Sequence, residues 1–270
     1  MRLNIHNCRV NFGPDEMAYA SFGHGENELI ILPGLSDGLT TTEGKALPLS
    51  WMYREFSDSF TVSVFSRRAN LPDHFTIAEM AEDQAAVIRM IGKRSVSVLG
   101  VSQGGMIALM LAADHPELVE KLVIAVSAPC VNPLIQANLQ RWIGYAEAGD
   151  HKQLMIDSAE HMYSESRLRN IRLMYPLLGR IGKPENYRRF LANAHAILNF
   201  NGREKAKKIT CPVLIIGGES DRTVGFEGSE ELHRLIPRSQ LYCCRGLGHA
   251  AYEEERTFNQ RVIRFLKEDH

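Results

Sequence analysis

Apolar and polar residues follow two rhythms along the chain. Short runs rich in Val, Ile and Leu predict buried β-strands, and longer runs with an apolar residue at every third or fourth position predict helices. The predicted strands are MAYASFG, NELIILPG, FTVSVFS, SVSVLG, EKLVIAVSAP, CPVLIIGGES and QLYCCRG. Because strands and helices alternate and several strands are apolar throughout, we predict an α/β fold with a mostly parallel sheet covered on both faces.

The helical runs lie between or after these strands. In TIAEMAEDQAAVIRMIG, apolar or large residues recur at Ile77, Met80, Gln84 and Ile88, and Gly92 ends the run. This spacing is typical of an amphipathic helix with a glycine stop. Further helices are predicted from Met106 to the segment DHPE, in EGSEELHRLI and in ERTFNQRVIRFLKE.

Residues 129–208 interrupt the alternation. They contain helical periods in NPLIQANLQRWIGYAEAG and NYRRFLANAHAILNF, and no strand-like run. We predict a helical cap here, inserted into an α/β core of residues 1–128 and 209–270 and lying over the C-terminal ends of the strands. Its large side chains either line a substrate pocket or form the core of the cap: Trp142, Tyr145, Met155, Met162, Tyr163 and Phe200.

Composition and charge narrow the classes of function. The 270 residues are 44% apolar and 23% charged, which is typical of a soluble globular protein. A formal net charge of -1 disfavours nucleic acid as a partner. No run reaches the roughly 18 apolar residues that cross a bilayer, so we expect no membrane insertion.

Cysteine usage and the first residues bear on the compartment. The five cysteines, Cys8, Cys130, Cys211, Cys243 and Cys244, show no C-x-x-C spacing. The segment MRLNIHNCRV lacks the apolar run and cleavage site of a secretory signal. We therefore expect a cytoplasmic protein with reduced thiols and no metal site.

A serine lies between glycines where a predicted strand meets a predicted helix. Gly100, Ser102 and Gly104 form the pattern G-x-S-x-G. In so tight a turn the serine takes an unfavourable backbone conformation, and the residues two positions away come too close to carry side chains. The hydroxyl is then exposed at the positive end of the following helix. The alternative is a serine that only caps this helix.

A serine hydroxyl becomes a nucleophile only with a base and an orienting acid. His249 differs from the other histidines because it lies between the last predicted strand and the last helix, in RGLGHAAYEE. Asp221 follows another strand, in VLIIGGESDRTV, where a carboxylate can orient the imidazole. Glu219 is its competitor, and an aspartate that caps the next helix is the alternative. We predict Ser102, Asp221 and His249 as catalytic residues.

Developing negative charge on a substrate requires preset hydrogen-bond donors. The backbone N–H of Gln103, which follows the serine, is one candidate. The loop LPGLSDG follows a central strand, and Gly34 lets its backbone approach closely. The N–H of Leu35 is therefore the second candidate.

Three segments together resemble the α/β-hydrolase-fold superfamily, and the resemblance extends over nearly the whole chain: LGVSQGGMIALMLAADHPELVEKLVIAVSAP, ITCPVLIIGGESDRTV and LGHAAYEEERTFNQRVIRFL. The resemblance implies an eight-stranded type of sheet, a helical cap after the sixth strand, and acyl chemistry without a cofactor. Ser102, Asp221 and His249 match the positions of the catalytic triad, and Leu35 and Gln103 match the oxyanion pair.

The chain departs from the superfamily pattern in two places. Pro33-Gly34 stands where many members have His-Gly, and SRRANLPDH stands where many have a glycine-rich turn. Arg67 and Arg68, which lie in SRRANLPDH, either bind a substrate carboxylate or form a solvated charged turn.

These observations predict a serine hydrolase that acts on a small molecule, a carboxylic ester with an apolar part. Thioesters, lactones, amides and the C–C bond of a diketone are alternative substrates, and a ligand-sensing or non-catalytic member of the fold is the alternative class. Dehalogenases and epoxide hydrolases of this fold need aspartate where Ser102 stands, and are disfavoured. The sequence leaves the natural substrate and the oligomeric state open.

Overall fold

A computed structural model describes residues 4–268 of the chain. Within that range eight strands form one sheet in the order β1-β2-β4-β3-β5-β6-β7-β8. The strands are β1 (His6–Phe12), β2 (Asp15–Gly23), β3 (Asn27–Leu32), β4 (Phe60–Phe65), β5 (Val96–Val101), β6 (Val119–Ala125), β7 (Val213–Gly218) and β8 (Ser239–Cys244). β2 pairs antiparallel with β1 and β4, and all other pairs are parallel.

The helices surround this sheet. They are α1 (Ala46–Met52), α2 (Ile77–Met90), α3 (Gln103–Asp114), α4 (Pro133–Glu147), α5 (His151–Met162), α6 (Glu165–Arg172), α7 (Tyr175–Leu178), α8 (Arg188–Leu198), α9 (Arg203–Ala206), α10 (Phe226–Leu235), α11 (Ala251–Glu254) and α12 (Phe258–Lys267). Two short 3-10 helices span Leu35–Gly38 and Arg54–Phe56.

The two faces of the sheet bury separate sets of apolar side chains. In β3, Ile30 and Leu32 belong to one buried cluster, and Leu29 and Ile31 belong to the other. Side chains alternate between faces along a strand, so an uninterrupted apolar run requires a covered sheet on both sides. The predicted fold class is confirmed.

Some elements differ from the prediction. β1 was not predicted, because it is an edge strand whose residues are half-exposed or exposed and carry no apolar run. The helix predicted from Met106 begins at Gln103, three residues earlier. Gly104 and Gly105 have no side chains, so the apolar pattern does not mark the first turn.

Helices α4 to α9, here called the inserted helices, lie between β6 and β7. The first of them begins at Pro133, and the side chain of Asn132 accepts a hydrogen bond from the N–H of Ile135, which is a standard N-cap. The boundaries at residues 129 and 208, and the division into core and cap, stay a prediction. No helix among the described residues has the length and hydropathy needed to span a membrane.

Candidate active site

The turn from β5 to α3 holds Ser102 in a backbone conformation that is rare for residues other than glycine, with φ 54° and ψ -118°. Ser102 occupies the N-cap position of α3, yet its side chain makes no capping hydrogen bond. The helix-capping alternative is therefore wrong. The hydroxyl is free for another partner.

The two flanking glycines are required by backbone contacts. A Cβ atom at Gly104 would lie 1.9 Å from the carbonyl oxygen of Leu32, and one at Gly100 would lie 2.4 Å from the carbonyl oxygen of Gly104. Real Cβ atoms essentially never approach other atoms within 3.0 Å. This close approach of α3 to β3 and β5 explains the glycine spacing around the serine.

The structure brings the three predicted catalytic residues into one hydrogen-bonded line. Nε2 of His249 lies 2.9 Å from Oγ of Ser102, and Nδ1 of His249 lies 2.8 Å from Oδ2 of Asp221. The three residues follow β5, β7 and β8, so parallel strands place them at one edge of the sheet. His249 and Asp221 are buried, whereas Ser102 is partly accessible.

The Asp221 carboxylate is held from both sides. Its Oδ1 accepts hydrogen bonds from the backbone N–H groups of Thr223 and Val224, at 2.7 Å and 3.0 Å. Burial alone would raise the pKa of Asp221, but the charge of His249 and these hydrogen bonds hold it below its ordinary value. The carboxylate is therefore ionised where it meets the imidazole.

Two alternatives from the sequence remain for this position: Glu219 as the acid, and Asp221 as a helix cap. Glu219 accepts a hydrogen bond from the N–H of Gly246 at 2.8 Å and does not contact His249. The N-cap residue of α10 is Gly225, so Asp221 does not cap that helix.

The two candidate oxyanion donors lie beside Ser102. A Cβ atom at Gly34 would lie 3.3 Å from Cβ of Ser102, which places the Leu35 segment against the serine. Gln103 is the first residue of α3, where helix geometry leaves backbone N–H groups without intrahelical partners. Within residues 4–268, neither the Leu35 nor the Gln103 N–H donates to a protein acceptor.

A cavity of about 300 Å³ opens above Ser102 and His249. Leu35 and Gln103 line it, together with four of the predicted pocket residues: Trp142, Met155, Met162 and Tyr163. Tyr145 and Phe200 are not among the described lining residues; they pack in the apolar core, as part of the same cluster as α3. Trp142 is fixed by a 2.7 Å hydrogen bond from Nε1 to Asp157.

Sequence reasoning missed other cavity residues. Ile135, Asn138, Leu139 and Trp142 line the cavity from one face of α4, at the helical spacing of positions i, i+3, i+4 and i+7. From this periodicity, Ile135, Asn138 and Leu139 could have been predicted to share the cavity-lining face with Trp142. Residues from α11 also contribute, and they lie in a short helix that the pattern does not mark.

Charge in the cavity is sparse. No lysine or arginine is among the residues that line it in the described part of the chain. The carboxylate of Glu253 faces the cavity and accepts a 2.9 Å hydrogen bond from the Tyr163 hydroxyl. In the same described range, no group of three or more His, Cys, Asp or Glu side chains is placed to hold a metal ion.

Both predictions for the Arg67–Arg68 pair are wrong. Arg67 is almost fully buried and is neither a solvated turn residue nor a cavity residue. Arg68 bonds to the carboxylate of Asp83, with Nε at 2.7 Å from Oδ2. Its guanidinium also lies 4.5 Å from the ring centroid of Phe75.

Comparison with known proteins agrees with this fold. A model of the alpha/beta hydrolase fold family matches residues 65–256. The chain belongs to this family. The predicted superfamily is confirmed, and membership supports a hydrolase activity.

One curated relative of this α/β hydrolase is the putative carbamate hydrolase RutD of Cronobacter sakazakii. It is 28% identical over 221 residues, which cover 74% of this chain and 78% of that protein. The RutD protein of Serratia proteamaculans is 26% identical over 206 residues, covering 74% of this chain and 76% of the relative.

Among solved structures, the hydrolase MGS-M2 from a Medee basin deep-sea metagenome library superposes with a TM-score of 0.84. It is 18% identical in sequence and the match covers 97% of this chain and 98% of that one. At this identity the likeness shows the fold alone.

Proposed function

We propose that the protein is a serine hydrolase that cleaves small carboxylic esters with an apolar part. Ser102 is the nucleophile, His249 the general base and acid, and Asp221 the group that orients the imidazole. The observation that carries the proposal is the pair of hydrogen bonds in series, from Ser102 Oγ to His249 at 2.9 Å and from His249 to Asp221 at 2.8 Å.

The proposed reaction has two halves. Oγ of Ser102 attacks the ester carbonyl carbon while Nε2 of His249 takes the hydroxyl proton, and the ionised Asp221 stabilises the resulting imidazolium. The C–O bond to the alcohol then breaks, and His249 gives its proton to the leaving oxygen. Water attacks the acyl group on Ser102, His249 takes the water proton, and the acid leaves as the serine hydroxyl is restored.

We assign the backbone N–H groups of Leu35 and Gln103 to the oxyanion that forms in each half. Both residues line the cavity beside the serine, and both N–H groups are without a protein acceptor in the described chain. Loss of one such donor typically costs about 3 kcal/mol of transition-state stabilisation.

The size and the lining of the cavity suit a substrate with a small, uncharged acyl group. Its volume of about 300 Å³ lies at the low end of ligand pockets. Its described lining is mainly aliphatic and aromatic and lacks lysine and arginine, so it offers no cation to a substrate carboxylate.

Two further parts of the proposal concern organisation and location. We take residues 129–208 as the cap, because the inserted helices supply one wall of the cavity. We also place the protein in the cytoplasm, because its five cysteines are all free thiols, as is usual in a reducing compartment.

The direct test compares the wild type with Ser102→Ala on p-nitrophenyl acetate and butyrate. We expect turnover by the wild type and a loss of at least ~10³-fold in the variant. A fluorophosphonate probe should label the wild type and not Ser102→Ala. The variant Ser158→Ala, which removes another serine lining the cavity, should still carry the label.

Equal rates for wild type and Ser102→Ala would overturn the proposal. A wild type that binds esters without turnover or labelling would instead identify a ligand-binding member of the fold.

Carbamates are a second candidate substrate class. The observation that favours them is the 28% identity to a relative named as a putative carbamate hydrolase. The same nucleophile would attack a carbamate carbonyl. Paired assays of p-nitrophenyl N-methylcarbamate and p-nitrophenyl acetate distinguish the two classes, because the higher kcat/KM identifies the preferred carbonyl.

A further inference from the structure

One buried arginine contacts both segments that carry the proposed oxyanion donors. The Arg67 side chain follows β4 and is 1% exposed. Its Nη2 donates to the carbonyl oxygen of Pro33 at 2.6 Å and to Oε1 of Gln103 at 3.1 Å. A single guanidinium nitrogen therefore joins the loop before Leu35 to the first residue of α3.

The direction of the Leu35 N–H is fixed by bonds to its neighbours. Arg67 holds the Pro33 carbonyl, and the N–H of Asp37 donates to the Gly34 carbonyl at 3.3 Å. In a planar trans peptide the C=O and N–H point in opposite directions. A fixed Gly34 carbonyl thus leaves the Leu35 N–H directed away from Asp37.

The buried charge of Arg67 is balanced locally. Oδ2 of Asp37 lies 4.0 Å from Nη1 of Arg67 and accepts bonds from the Arg67 backbone N–H at 3.2 Å and from Nη2 of Arg189 at 2.7 Å. Burial lowers the pKa of Arg67 to about 10, and the charge of Asp37 opposes this shift. The guanidinium is therefore charged at neutral pH and keeps its donors.

Helix α8, one of the inserted helices, also bonds to Gln103 and to the segments that carry Asp37 and Arg67. Arg189 and Asn193 both lie on α8, and the Asn193 carbonyl accepts a bond from Nε2 of Gln103 at 3.2 Å. Arg189 also donates to the carbonyl oxygens of Asp37, at 3.1 Å, and Arg67, at 3.1 Å. The Gln103 side chain is thus held between Arg67 and α8.

We propose that Arg67 is a positioning residue for the oxyanion hole, which sets the spacing and direction of the Leu35 and Gln103 N–H groups. The inference rests on the proposed function. Arg67 is not among the described residues that line the cavity, so it acts through the two donors and not on the substrate. Donors that meet charge only in the transition state affect kcat more than KM.

The test is Arg67→Lys, which keeps the charge but cannot reproduce the planar donor geometry of the guanidinium. Because complete loss of one donor costs about 10²- to 10³-fold in kcat, we expect displaced donors to lower kcat by about 10- to 100-fold, with KM within about twofold. Affinity for an alkylboronic acid, which forms a tetrahedral adduct with the serine, should fall by a similar factor. Rates are divided by the number of sites titrated with fluorophosphonate.

Arg68→Lys is the matched control, because Arg68 bonds to Asp83 and contacts neither Pro33 nor Gln103. We expect its kcat per titrated site to equal that of the wild type. A purely structural role for Arg67 would lower the titrated fraction and leave kcat per site unchanged, and that result would overturn the inference.

A second variant covers the case in which Arg67→Lys does not fold. Gln103→Leu removes one acceptor of Arg67 and keeps the backbone N–H, and we expect a smaller loss of kcat at similar KM. Unchanged kcat per site would contradict the inference while wild-type turnover upholds the proposed function. A wild type with neither turnover nor a Ser102 label would overturn both.

Discussion

The backbone N–H of Ala250 donates a hydrogen bond to the carbonyl oxygen of Met162 at 2.8 Å. This bond joins the loop that carries His249 to the C-terminal end of α5. The position of the imidazole therefore depends on the inserted helices as well as on β8.

The close fit at this contact predicts a loss of activity for Gly248→Ala. The new Cβ would lie 2.7 Å from the Met162 carbonyl oxygen, so the loop must move and His249 with it. A displacement of about 1 Å in catalytic geometry can cost on the order of 10²-fold, and we expect kcat to fall by about 10- to 100-fold. Steady-state kinetics and the rate of fluorophosphonate labelling measure the effect.

Gly179→Ala is the control for this change. Its Cβ would make an ordinary 3.4 Å contact with Lys152, also in the inserted segment. Both rates should stay at the wild-type level there. Wild-type kcat in Gly248→Ala would show that the loop absorbs the methyl group without moving the imidazole.

The tight turn from β5 to α3 predicts that alanine is far less tolerated at Gly104 than at Gly144. Gly104→Ala places a methyl group 1.9 Å from the Leu32 carbonyl oxygen, and we expect a loss of about 3 kcal/mol or more in the free energy of unfolding. Gly144→Ala in α4 meets open space and should gain about 0.5–1 kcal/mol. Urea unfolding of both variants checks the order, and equal stability would contradict the close approach of α3 to β3.

Stability should depend on acid pH through Asp37. Burial alone would raise the pKa of Asp37, but the charges of Arg189 and Arg67 hold it below the ordinary value of 3.8. The stability that this carboxylate contributes is therefore complete above pH 3.8 and is lost as the pH falls through the lower, folded-state pKa.

The variant Asp37→Asn measures this contribution. We expect it to be less stable than the wild type by about 3–5 kcal/mol at neutral pH, since it leaves the buried Arg67 and the partly buried Arg189 without their carboxylate. The difference should be the same at about pH 5 and narrow near pH 3. Asp58→Asn, at a side chain 91% exposed, should change stability little at any pH. If the stability difference between the wild type and Asp37→Asn instead grew at acid pH, the folded-state pKa of Asp37 would lie above its ordinary value and not below it.

The cavity wall predicts a change of chain-length preference. Met155→Ala enlarges the cavity, so the ratio of kcat/KM for p-nitrophenyl octanoate to that for the butyrate should rise, by up to about fourfold for each methylene accommodated. Met174→Ala, at an exposed methionine outside the described cavity lining, should leave the ratio unchanged. A fall in the ratio for Met155→Ala would place the acyl chain elsewhere.

Much of the fold could be predicted because buried parallel strands carry continuous apolar runs and helices carry a period near 3.6. The candidate site could be predicted for a related reason. Ser102, Asp221 and His249 each follow a recognisable strand, so the topology alone brings them to one edge of the sheet.

The buried charge group of Arg67, Asp37 and Arg189 could not be predicted from the local sequence pattern. A charged pair in a turn is usually solvated, and its burial depends on Asp37 and on Arg189, which is far away in sequence. The same limit applies to the cavity wall, where the helical period shows which residues share a face but not what that face covers.

The bonds of α8 also oppose an outward movement of this helix, which lines the cavity through Phe190 and Ile197. Rotating this helix outward would remove the bond between Arg189, whose side chain is 16% exposed, and the buried Asp37 carboxylate, and the loss of a charged partner by a buried carboxylate is destabilising. Of the described lining residues, Ser36 and Glu253 are the exposed ones, and Glu253 is bonded to Tyr163. The exposed Ser36 and Glu253 thus mark where the cavity reaches the surface, and α8 stays bonded to the Leu35–Gly38 turn beside it.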